Sequence, residues 1–103
     1  LQMFGGLQKV MIVGLPWFRR EDWPALRALF VDADTLHAEW EDWQQSATKV
    51  EAQIRASGQR VVRAELRPEA FAAYCSTLGI PTDAEARLLW ANEAAERETR
   101  QRS

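Results

Sequence analysis

The stretch LHAEWEDWQQSATKVEAQI, residues 36–54, decides how the rest of the chain is read. Leu36, Trp40, Trp43, Ala47, Val50 and Ile54 recur at alternating steps of four and three, the a/d spacing of a helical seam. The flanking positions Gln44, Ser46 and Gln53 carry no charge, so the seam is expected to dock inside a helical layer rather than form a free-standing zipper. Asp34 or Thr35 offers a cap for this helix, and Gly58 offers a left-handed stop. Strands joined across so long a helical connection pair in parallel, by a right-handed crossover.

Upstream, Val10-Met11-Ile12-Val13 reads as a short strand buried on both faces, bounded by Gly14 and Pro16. Pro16-Trp17-Phe18 is expected to turn, because proline cannot continue a ladder. Trp23, Leu26 and Phe30 then mark a helix of three turns, with Pro24 tolerated in its first turn.

Downstream, residues 59–66 read as the second strand, with Val62, Ala64 and Leu66 on one face. Arg67-Pro68 opens a helix whose apolar stripe is Phe71, Tyr74, Cys75 and Leu78, and Gly79-Ile80 closes it. Thr82 and Glu85 suit a capping box for a last helix carrying Leu88, Leu89, Trp90, Ala91 and Ala95. Beyond Ala95 that helix turns polar. Glu93 and Arg97, Glu96 and Arg100, and Glu98 and Arg102 stand at the favourable i, i+4 spacing, so residues 96–103 read as a solvated helical tail. The fold class is therefore α/β and mostly helical, in the order strand-helix-helix-strand-helix-helix. Two short parallel strands make a poor sheet alone, and helices or a second copy must cover them.

The 103 residues suit one domain, 1–103. Within it, residues 1–6 read as a leading remnant, a disordered segment or a misassigned start, with Met3 and Met11 as candidate natural starts. Net charge is -2 and is evenly spread: residues 1–57 hold six basic and eight acidic side chains, residues 58–103 seven of each. The basic excess that duplex nucleic acid demands is missing. The single Cys75 cannot form an internal disulfide, and the apolar residues 10–15 are too few to span a bilayer. The expectation is a cytoplasmic protein without nucleic-acid or membrane partners.

His37 and Cys75 are the only residues of their kinds, which removes most enzyme mechanisms. His37 stands four residues before Glu41 and near Asp32, Asp34 and Glu39, a spacing that could hold a metal. An acidic helix start explains the same cluster without a ligand, and no metal site is assigned. Cys75 falls on an apolar stripe, where it acts as a small hydrophobe. Trp17 beside Arg19 and Arg20, at the carboxyl end of a strand, could receive a small flat or anionic ligand. Arg60, Arg63, Arg67 and Arg87 could form a basic patch, but Glu65, Glu69 and Glu85 are nearby in sequence, and a mixed surface is the simpler reading. The glycine pair Gly5-Gly6 leads from no strand into a helix, so no phosphate loop and no cofactor is implied.

Three stretches together resemble small, single-domain bacterial proteins of no assigned function: Pro16-Trp17-Phe18, residues 61–71 from Val61 to Phe71, and residues 83–87 from Asp83 to Arg87. That resemblance implies no activity and no catalytic residue. The leading expectation is a non-catalytic interaction protein that self-associates as a homodimer, with Leu36, Trp40, Trp43, Val50 and Ile54 as its core or interface seam. The second is a small-molecule or anion-binding domain using Trp17, Arg19 and Arg20. The third is a hydrolytic or metal-dependent enzyme, which needs His37 beside carboxylates in a cleft.

Overall fold

A computed structural model of the chain describes residues 10–102; the readings of residues 1–6, Met3 and the Gly5-Gly6 pair lie outside them. Its elements are β1 (Ile12–Trp17), α1 (Trp23–Leu29), α2 (Trp40–Ala56), β2 (Arg60–Glu65), α3 (Pro68–Leu78) and α4 (Ala84–Arg102), with short 3-10 turns before and after α1. The two strands pair in parallel, Ile12 against Arg60 through Trp17 against Glu65. The expected α/β order is the observed one.

β1 departs from its reading at both ends. Val10 and Met11 precede the strand and are exposed, whereas Pro16 lies inside it, opposite Ala64. The ladder explains how proline is tolerated. The carbonyls of Met11 and Trp17 accept from Arg60 and Leu66, each at 2.9 Å. Odd-numbered residues of β1 therefore face β2, and Pro16 turns its donor-less nitrogen to the edge that is unpaired among the described residues.

The sheet has two faces with different covers. Gly14 lies directly under α4, where a Cβ would overlap the Ala91 carbonyl. Ala86, Arg87, Ala91 and Ala95 are the buried residues of α4, while Leu88 and Leu89 point out. Close approach to the sheet at a glycine requires small side chains on the inward face of the helix. Arg63 and Trp17 share the opposite face with α2, through ion pairing to Glu51.

α2 begins at Trp40, four residues later than the seam spacing suggests. Residues 36–39 are pulled out of helical geometry by hydrogen bonds to their carbonyls. The Trp23 indole donates to Ala38 O (3.0 Å), and Arg27 donates to His37 O (2.7 Å). The Thr35 hydroxyl, expected to cap the helix, donates to Asp32 O instead. Gly58 (φ +91°) ends the helix as read.

α3 follows its sequence reading closely, with Pro68 in the first turn after extended Arg67. Gly79 (φ +68°) and the 3.0 Å bond from Ile80 N–H to Cys75 O form the Schellman stop. Leu78, placed on the buried stripe by spacing, is exposed. α4 is capped by Asp83, whose carboxylate accepts from Ala86 N–H (3.1 Å), while the Thr82 hydroxyl donates to Leu29 O (2.7 Å). The capping box gives way to a tertiary bond. α4 then runs unbroken to Arg102, and Thr99 and Arg100 line a shallow cavity with Ile12.

The core is aromatic. Phe18, Trp23, Leu26, Phe30, Trp43, Leu66, Phe71 and Cys75 are buried together. Phe18 and Trp43 rings lie 4.7 Å apart, Phe18 and Phe30 5.6 Å, and Phe30 meets Phe71 edge-on at 5.8 Å. Indole N–H groups tie the edges down: Trp40 to Phe18 O at 3.0 Å and Trp90 to Glu65 O at 3.2 Å.

Candidate functional site

A groove beside the sheet lies between β1, α2 and the connection of residues 31–39. That connection is held at several points. Arg27 donates to Ala33 O and His37 O, and Trp23 to Ala38 O. Arg87 grips Asp32 with both terminal nitrogens at 2.8 Å, and its guanidinium lies 4.5 Å over the Phe30 ring. Arg87 is buried, so this pair is a charge-assisted clamp rather than a surface contact. The hydrogen bonds from Arg87, offset in part by burial, hold the Asp32 carboxyl below its ordinary range.

The resulting groove has a volume of about 350 Å³. Its apolar lining comes from Leu15, Phe18, Leu36, Trp43, Ala47 and Val50, and its polar lining from Thr35, His37, Ser46 and Arg87. His37 Nε2 stands 3.1 Å from Ser46 Oγ. Trp43, Ser46, Ala47 and Val50 follow i, i+3, i+4, i+7 spacing, which brings them to one face of α2. That spacing is present in the sequence, where Ser46 also flanks the seam. Nothing local couples Arg87 to Asp32, 55 residues away.

His37, Arg87 and the seam residues Leu36, Trp43 and Val50 line this groove, but the expected ligand turn of Trp17, Arg19 and Arg20 lies elsewhere. Trp17 is half-buried, edge-on to Trp43 at 5.1 Å, with the Arg63 guanidinium 4.0 Å over its ring. Arg19 binds Asp22 (3.2 Å) and reaches Glu21 (3.5 Å), and Arg20 binds Glu41 (2.6 Å). Pro16 and Phe18, on either side of Trp17, line the groove; Trp17, Arg19 and Arg20 do not. Of the seam residues, Trp43 is buried, Leu36 and Trp40 pack at the core margin, Ile54 is half-buried, and Val50 is exposed at the groove rim.

His37 meets Ser46 rather than carboxylates, and among the described residues no group of three or more metal-ligating side chains gathers. Cys75 is buried, and burial pushes its thiol pKa up. Three of the four arginines suspected of forming a patch bind carboxylates remote in sequence: Arg63 to Glu51, Arg67 to Asp22 and Arg87 to Asp32. Glu51 takes Arg63 in a bidentate pair (2.7 and 2.8 Å) and also Arg55 (3.2 Å), and these bonds lower its pKa against the opposing effect of burial. Burial and the Glu93 carboxylate, 2.8 Å from its hydroxyl, push the Tyr74 pKa up to about 12, so Tyr74 is a donor at neutral pH.

The groove therefore offers shape, aromatic surface and a few polar contacts. It brings together no nucleophile, base and orienting acid in sequence. Among the described residues no helix is long and apolar enough to cross a membrane. Comparison with protein families, curated proteins and solved structures finds no match for this chain.

Proposed function

We propose that the protein is a small interaction protein that works as a homodimer in the cytoplasm. One observation carries this reading. Four large apolar side chains stand exposed around the α3–α4 turn: Val31 (68%), Leu78 (50%), Leu88 (57%) and Leu89 (43%). Leu78 ends α3, Leu88 and Leu89 lie in the second turn of α4, and Val31 N–H is held to Thr82 O at 3.1 Å. Chain connectivity and that bond place all four on or beside the α3–α4 segment. Single exposed leucines need no explanation, but several on one segment favour a contact surface.

The open edge of β1 is the weaker candidate, because Pro16 removes a donor there and proline on an edge discourages pairing. A twofold contact at the α3–α4 end uses the same patch on both copies. Burying a large aliphatic side chain contributes about 1.5–3 kcal/mol when complete, so these half-exposed residues can anchor an interface but need a polar rim around them. The cytoplasmic assignment is supported by the lone Cys75, buried and free.

Leu88→Glu is the direct test. Leu88 is exposed, so the variant should fold with an unchanged melting temperature at low concentration while sedimenting as a monomer. A Leu88→Glu protein that still sediments with the wild type as a dimer would remove the patch from the interface.

A further inference from the structure

The geometry points to the groove beside α2 as a binding site for a small apolar acid, an aromatic or short acyl carboxylate. Its volume of about 350 Å³ falls in the range of small-molecule sites and suits one ring with a short chain. Leu36 and an edge of the buried Trp43 give apolar lining, and Val50 stands exposed among the lining residues.

Hydrogen-bond donors select the acid. Among the described residues no carboxylate lines the groove, and the one charged lining side chain, Arg87, is paired with Asp32 just outside that lining. Asp32 takes a hydrogen bond from each terminal nitrogen of Arg87, which fixes the guanidinium in place. A guanidinium has five N–H groups, so this pairing does not exhaust its donors. His37 and Ser46, 3.1 Å apart and both exposed, add a hydroxyl and a ring nitrogen that can bond to a carboxylate oxygen. The wall carrying His37 is tied down by Arg27 and Trp23 before any ligand arrives. Such preorganisation lowers the entropy lost on binding. This inference goes beyond the interaction reading, and the groove lining shares no residue with the four exposed side chains at the α3–α4 end.

The probe is 4-phenylbutyrate, titrated calorimetrically into the full chain, with 4-phenyl-1-butanol as the neutral control. One-to-one binding with Kd at or below about 1 mM is expected, several-fold tighter for the acid than for the alcohol. Val50 is exposed, so Val50→Glu and Val50→Lys should both fold. Val50→Glu, which sets a carboxylate at the rim, should weaken the acid about tenfold or more, while Val50→Lys should keep or tighten it. Absence of saturable binding, equal affinity for acid and alcohol, or an unchanged Kd in Val50→Glu would each overturn the assignment. The mass of the protein in solution is read separately, so failure here leaves the dimer reading standing and the converse holds too.

Discussion

Gly14 and Ala91 are in backbone contact: the α4 carbonyl at Ala91 occupies the space that any side chain on residue 14 would need. The sheet and its covering helix thus approach as closely as the missing Cβ allows. Gly14→Ala should destabilise the fold by about 3 kcal/mol, at the upper end of overpacking effects, because the obstructing atoms are backbone and cannot rotate away. Urea unfolding measures it. A variant within about 0.5 kcal/mol of wild type would show that α4 does not lie on the sheet there.

Trp43 touches Trp17, Phe18, Trp23 and Trp40 at ring-centroid distances of 4.7 to 6.1 Å. Trp43→Ala is expected to cost about 3–5 kcal/mol, the usual range for a buried aromatic removed from a packed core. An unaltered melting temperature would place Trp43 outside the core.

The start of α4 separates two caps. Asp83→Ala should cost about 1 kcal/mol through loss of the bond to Ala86 N–H. Glu85, exposed and on the first turn, should tolerate alanine to within about 0.5 kcal/mol. The reverse order of effects would restore the Thr82–Glu85 capping box.

Asp32 and Glu51 both have native pKa values lowered by their arginine partners. A lowered native pKa contributes stability that is present above the unfolded pKa and lost as pH falls through the native one. Stability should therefore hold from pH 7 to about 5 and decline below about pH 4. Glu51→Gln should flatten that acid limb by about 1–2 kcal/mol, a figure kept small because Arg63 is half exposed. Urea midpoints measured against pH would show the same acid slope in both proteins if the pair contributes nothing.

Much of the fold is legible in local signals. Gly58, Pro68 and Gly79 act within a few residues of themselves, and the elements they delimit lie where spacing puts them. What was not legible depends on distant partners. The start of α2 is set by Trp23 and Arg27 drawing on the Ala38 and His37 carbonyls, and the cap of α4 by Leu29 taking the Thr82 hydroxyl. The inward face of α4 follows from Gly14, 77 residues before Ala91 in the chain. The groove had a partial signal in the Trp43, Ser46, Ala47 and Val50 face, but its remaining wall is assembled by the Asp32–Arg87 pair, which no spacing announces. Trp17, Arg19 and Arg20 form no site because each is already partnered: Arg20 by Glu41, Arg19 by Asp22, and Trp17 by the Arg63 guanidinium over its ring.

Self-association is the central claim, and light scattering on the purified chain at tens of micromolar tests it most directly. A twofold dimer built on the α3–α4 end gives twice the 11.8 kDa chain mass, falling toward one chain mass on dilution. A constant 11.8 kDa across the whole concentration range would contradict it.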